Sequence, residues 1–234
     1  MQRRTLTASL VFSGNLAALL AWTDAAAATS ATVSDGDAAL GVRSALESGA
    51  NSAVGVLGKP GGFLDNPKVR IPLPGFLTEV AKVARLTGQQ ARVDELITAM
   101  NRAAEEAVPQ AKALLISAVK AMSIKDGWKI VTGGENSVTE FFIVRTRDAL
   151  SVKFLPIMKR ATEKVSLAAA YNALASKASM VGLLGQNNAN IEQYVTDKAL
   201  DGLYLMIGEE ERKIRRDPVG TGSAILAKVF GSLK

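Results

Sequence analysis

The chain has 234 residues, with 28 Lys and Arg against 22 Asp and Glu, and contains neither cysteine nor histidine. Without Cys there is no disulfide, thiolate nucleophile or thiolate zinc site. Without His there is no Ser-His-Asp triad, zincin site or imidazole acid–base pair.

Met1-Gln2-Arg3-Arg4 is a short basic start, followed by a mostly apolar run from Leu6 to Trp22 and by the small residues Ala25 to Ala28. That order is the layout of a secretory signal, so residues 1–27 are expected to be cleaved near Ala27 or Ala28. The run is marginal in length for a membrane anchor and is diluted by Ser9, Ser13, Gly14 and Asn15, so an uncleaved anchor is the weaker reading. Arg3-Arg4-Thr5-Leu6 also allows a twin-arginine route, although Thr7 weakens the apolar position that follows, so general secretion is preferred. The expected location is periplasmic or secreted. Cleavage removes two arginines and one aspartate and lowers the net charge from +6 to about +5. No later stretch holds eighteen consecutive apolar residues, so the mature chain is expected not to span a membrane.

Residues 28–36 read as a polar linker and 37–234 as a single helical domain. Leu40, Ala45, Ala50, Val54 and Leu57 recur at helical spacing, with Asp35 or Asp37 as the cap. Pro60, Pro67, Pro72 and Pro74, with Gly61-Gly62, exclude helix between 58 and 75. That segment is expected to be an extended strap between the first two helices, pinned by Phe63, Val69, Ile71, Leu73 and Phe76. A ligand-binding loop is the weaker alternative.

A short helix should follow Gly75 and stop at Gly88. Next comes a stripe of Val93, Ile97, Met100, Ala104, Ala107, Ala111, Leu114, Ala118 and Ala121 at steps of three and four. Such a stripe is a helix–helix seam, its alanines allowing close approach. Pro109 predicts a kink or break near Val108. Ser123 and Asp126 form a capping pair for another helix, ended by Gly133-Gly134. A helix from Glu135 to about Phe154 should bury Val138, Phe141, Phe142 and Val144, with Pro156 interrupting it. Residues 157–180 read as helix and Gly182 to Asn190 as loop. The helix from Ile191 to Arg216 should bury the whole turn Leu203 to Ile207, and Asp217-Pro218 should restart a last helix near the C-terminus. The fold class is all-α, a single-domain helical bundle.

Chemical motifs fail on inspection. Gly58-Lys59 is no phosphate loop, because Ala53 and Pro60 stand where glycine and Ser or Thr are required. Ser117-Ala118-Val119-Lys120 matches S-x-x-K but has no Lys-Thr-Gly partner. No cofactor or metal is expected, and the exported chain has no nucleic-acid-reading motif. Asp197 and Asp201, one helical turn apart, suggest a cationic partner, which Arg102, Arg145 or Arg147 on a neighbouring helix could supply. Glu209–Lys213 and Glu211–Arg215 read as the paired, solvated end of a helix.

Several blocks are similar to an uncharacterised bacterial family, domain of unknown function 4197. They are Leu57-Gly58-Lys59 with Gly61-Gly62-Phe63-Leu64, Ile71-Pro72-Leu73-Pro74, and Met100-Asn101-Arg102-Ala103-Ala104-Glu105. Later come the run from Tyr194 to Leu203, Glu210-Glu211-Arg212-Lys213-Ile214-Arg215, Asp217-Pro218 and Val229-Phe230-Gly231. The resemblance implies an exported helical domain and assigns no activity or site.

Two functions follow. One is a non-catalytic module binding a protein partner of the envelope or an apolar, lipid-like ligand, with Asn101, Arg102, Glu105, Asp197, Asp201, Glu210 and Arg215 as candidate binding residues. The other is a hydrolase or metal-dependent enzyme of the envelope working through Asp197, Asp201, Glu105 and Glu210, which requires these carboxylates to converge in one cleft.

Overall fold

The inward phase of the first helix is set by Ala39, Val42, Leu46, Ala50, Ala53 and Leu57, all buried at steps of three and four. This helix, α1, spans Asp35–Leu57 in the computed structural model, which describes residues 35–172 and 190–217. Leu40 lies about 100° away from its buried neighbour Ala39 around the helix. It is therefore 51% exposed, not part of the core as expected.

Residues 58–69 then wind through hydrogen-bonded turns, and 70–74 carry no regular structure. Gly61 has φ of 85°, a conformation that side chains with a Cβ rarely adopt, and Asp65 N–H closes the turn onto its carbonyl at 3.1 Å. Phe63, Val69 and Ile71 are buried. The side chain of Phe76 lies outside the described set.

Helix α2 spans Gly75–Leu86, and Gly88 follows with φ of 72°. Helix α3 spans Gln90–Ala107, and a 3₁₀ turn at Val108–Gln110 separates it from α4, Ala111–Lys120. The break falls where Pro109 removes a backbone donor. Beyond it the buried line of α4 runs Ala111, Leu115, Val119. Leu114 and Ala118 flank that line, and Ala121 lies past the end of the helix and is exposed.

Helix α5, Ile124–Thr132, starts on a complete capping box. Ser123 Oγ accepts from Asp126 N–H at 3.1 Å, and Asp126 accepts from Ser123 N–H at 3.0 Å. Helix α6, Ser137–Thr162, runs straight through Pro156. The sequence pattern placed an interruption there. The helix continues because Val152, whose carbonyl loses its partner, is 75% exposed and Pro156 is exposed as well, so water reaches that carbonyl. The price in helix propensity remains, at about 3 kcal/mol for an interior proline. Pro156→Ala is therefore expected to raise stability by about 2 kcal/mol, part of the gain being offset by the freer unfolded chain. The melting temperature should rise by about 4–8 °C in a calorimetric scan.

Two further expectations fail, one on α6 and one on the last described helix. Val144 is 86% exposed, while Val138, Phe142, Thr146, Leu150 and Phe154 form the buried line. The helix expected over 157–180 is divided: 157–162 belong to α6, 163–165 are not helical, 166–172 are helical, and 173–180 lie outside the described residues. The last described helix, α7, spans Ile191–Arg216. Its Leu203, Tyr204 and Ile207 are buried, but Leu205 is exposed and Met206 only half-buried, so the apolar turn is not enclosed on every side. The expected loop at 182–189 and the expected helix after Pro218 lie outside the described residues.

The described residues hold helices and turns and no strand; the fold is all-α. Helix α7 packs on α6 and on α1, α6 also packs on α3, and α1 meets α4 and α5. No described helix is long and apolar enough to cross a membrane.

Candidate functional site

On α3, Asn101 and Glu105 are one turn apart on the face turned toward the 58–74 segment, and both are buried. Asn101 reads the backbone of Ile71 from both sides. Its Oδ1 accepts from Ile71 N–H at 2.8 Å, and its Nδ2 donates to Ile71 C=O at 3.0 Å and to Ile97 C=O at 2.8 Å. Glu105 Oε1 accepts from the N–H groups of Phe63 and Leu64, each at 3.0 Å, and its Oε2 accepts from Arg102 at 2.6 Å. The amide and carboxylate thus supply the backbone partners that a proline- and glycine-rich segment cannot find in a helix or sheet.

Burial pushes the Glu105 carboxyl up, but hydrogen bonds from Leu64, Arg102, Phe63 and Gly61 outweigh it and hold the group below its ordinary value of 4.5. A depressed folded-state pKa contributes stability that is present above the unfolded value and is lost as pH falls through the folded one. Urea midpoints measured from pH 6 to pH 3 should fall more steeply below about pH 4.5 for the wild type than for Glu105→Gln. Parallel slopes would show that this carboxylate is not linked to folding.

Helix α7 holds the other side of the segment. Tyr194 Oη donates to Pro72 C=O at 3.0 Å, and burial, with Tyr171 nearby, pushes that phenol up to about 12, so it remains a donor at neutral pH. Gly202 faces Phe63 and Val69: a Cβ there would lie 2.8 Å from Phe63 Cε1. Further along, Lys68 Nζ meets Glu209 at 2.6 Å.

The remaining expected residues are dispersed. Asp201 pairs with Arg147 at 2.8 Å, one of the three arginines anticipated for it, while Arg102 serves Glu105 and Arg145 serves Asp126. Asp197 accepts from Gln193 at 3.1 Å within its own helix. Glu210 lies 3.9 Å from Lys213, and Glu209 pairs with Lys68 and Arg212 in place of Lys213. No hydrogen bond or ion pair among the described residues joins any two of Glu105, Asp197, Asp201 and Glu210. No described group of His, Cys, Asp or Glu has the makings of a metal site.

Glu211 corrects the expected solvated helix end. Its side chain is 2% exposed and accepts from Val138 N–H at 3.1 Å, Thr139 N–H at 3.2 Å and Thr139 Oγ1 at 3.3 Å. It thereby caps the start of α6, whose own N-cap residue Asn136 makes no side-chain capping bond. Arg215 bonds Glu211 at 3.0 Å and also donates to Ile130 C=O and Ser137 Oγ at 2.8 and 2.7 Å, tying α7 to the junction of α5 and α6. The only sequence signal was the i,i+4 spacing of Glu211 and Arg215, which exposed helix ends share.

Two spaces adjoin this junction. A cavity lined by Ala45, Gly49, Val138, Ile207 and Ile214, closed by Glu211 and Arg215, holds about 10 Å³, room for one water. An open groove of about 330 Å³ lies between α5 and α6, where Phe141 and Val144 face Asp126, Lys129 and Glu140. Arg145 stacks 4.8 Å above the Phe141 ring while pairing with Asp126 at 2.9 Å.

The fold and these contacts define a helical domain whose buried acids cap backbone and clamp an irregular segment. Residues 32–231 match the family described as Protein of unknown function (DUF4197), and the chain belongs to that family. No curated protein and no solved structure matches it.

Proposed function

We propose that the chain is an exported, non-catalytic helical module of the cell envelope that binds a protein partner through its surface. Export is supported by the basic, apolar and small-residue order of residues 1–28. The observation that carries the binding reading is how the acidic side chains are used. Glu105 and Glu211 spend their oxygens on backbone N–H groups and arginine, and Asp201 is paired with Arg147. A reacting carboxylate needs a free face toward substrate. The cavity between α1, α6 and α7 has no room for an apolar ligand, and the α5–α6 groove, larger than the space of about 180 Å³ lined by Ala84, Arg92, Val93 and Leu167, offers its exposed Val144 as a receptive surface.

Native mass spectrometry of the protein recovered from the envelope fraction is expected to show a complex of fixed stoichiometry. Val144→Glu should abolish that complex and leave the circular dichroism spectrum and melting temperature unchanged. A bare monomer under all conditions, or a complex indifferent to Val144→Glu, would remove the support for this reading.

A further inference from the structure

We propose that the outer shoulder of α5 seats the domain on an anionic lipid surface. Within this nine-residue helix, Gly127, Ile130 and Val131 are buried, and a Cβ at Gly127 would lie 3.4 Å from Ala39 Cα, so this face is pressed against α1. Ile124 and Trp128, at i and i+4, stand together on the next face and are 52% and 37% exposed. Lys125 and Lys129, also four apart, follow on the outermost face, are exposed, and have no ion pair among the described residues. The one acid of the helix, Asp126, projects to the opposite flank, where Ser123 and Arg145 take it up. The outward charge of α5 is therefore wholly positive and borders an apolar pair that includes an indole.

That combination suits a bilayer surface. An indole sits at headgroup depth with its ring among the acyl-chain ends, and lysines beside it meet anionic headgroups. Leu40, exposed on α1 immediately after Ala39, adds apolar area near the α1–α5 crossing. The start of α5 is fixed by both hydrogen bonds of the capping box. Because no described helix crosses a membrane, the domain would lie on the bilayer. Lys129 also borders the α5–α6 groove, whereas Ile124, Lys125 and Trp128 do not line it.

Flotation of the chain from Ala28 onward, without the apolar run Leu6 to Trp22, with vesicles tests it. Binding is expected to vesicles of phosphatidylglycerol and phosphatidylcholine and to be weakened by salt, with little binding to phosphatidylcholine alone. Lys125→Ser with Lys129→Ser should reduce the partition coefficient about twenty-fold, and Ile124→Ser with Trp128→Ser at least about tenfold. All four side chains are exposed, so the circular dichroism spectra should match the wild type. Val144→Ser, which removes the exposed apolar residue of the groove without adding charge beside Lys129, should bind vesicles as the wild type does. The proposal is overturned if either double variant floats like the wild type, which would place binding elsewhere in the chain. It is equally overturned if the wild type fails to float or ignores lipid charge.

Discussion

Asn101→Leu is expected to destabilise the domain by about 3–5 kcal/mol although leucine nearly matches asparagine in volume. The side chain is 0% exposed, and both polar atoms are engaged with Ile71, so leucine leaves a buried N–H and a buried C=O without partners. Each such orphan costs roughly 1–3 kcal/mol, which exceeds what leucine gains by its own burial at a site already packed. With a urea slope of about 2 kcal/mol/M the midpoint should fall by about 2 M. The Ile71 amide should also lose its protection from hydrogen exchange before the helices do, because its only acceptor has gone. A midpoint shift under about 0.5 M would mean that the 58–74 segment is held by its apolar side chains alone.

Glu211→Ala is expected to cost about as much, roughly 3–5 kcal/mol, for a different reason. Alanine strands the largely buried Arg215 guanidinium and uncaps Val138 and Thr139 at the start of α6 in one step. Glu211→Gln keeps one acceptor oxygen and should lose roughly half as much. Glu210→Ala, one residue away, removes only a loose contact with an exposed lysine and should change stability by less than about 0.5 kcal/mol. Equal effects at 210 and 211 in chemical denaturation would contradict the capping role.

These two residues mark where sequence reasoning stopped. In the sequence Asn101 reads as a candidate binding residue and Glu105 as a candidate for binding or chemistry; nothing in their spacing says that they hold the chain's own backbone. Glu210 and Glu211 are indistinguishable in the sequence, because adjacent glutamates in an acidic run look alike until the helix is rotated against its neighbours. A one-residue step is about 100° of helix, enough to turn one carboxylate onto α6 and leave the other at the rim. The same ambiguity explains Leu40, Val144 and Leu205, apolar residues whose type suggests the core and whose phase denies it. Pro156 shows the opposite limit: a strong local breaker is overridden where packing on both sides holds the helix and its orphan carbonyl can reach water.

What the amino-acid order alone determined is local. It marked the capping box at Ser123 and Asp126, the break at Pro109, the stop at Gly88, the full extent of the Ile191–Arg216 helix and the all-α class. Caps, prolines, glycines and periodicity act within a turn or two of the chain, so their consequences can be read without neighbours. Only the tertiary structure decided which charged groups are spent inside. Asn101 meets a backbone 30 residues away and Glu211 one 73 residues away, and a hydrogen bond across that separation depends on how two helices are rotated and set against each other. That geometry is a property of the packed core and is encoded in no single segment.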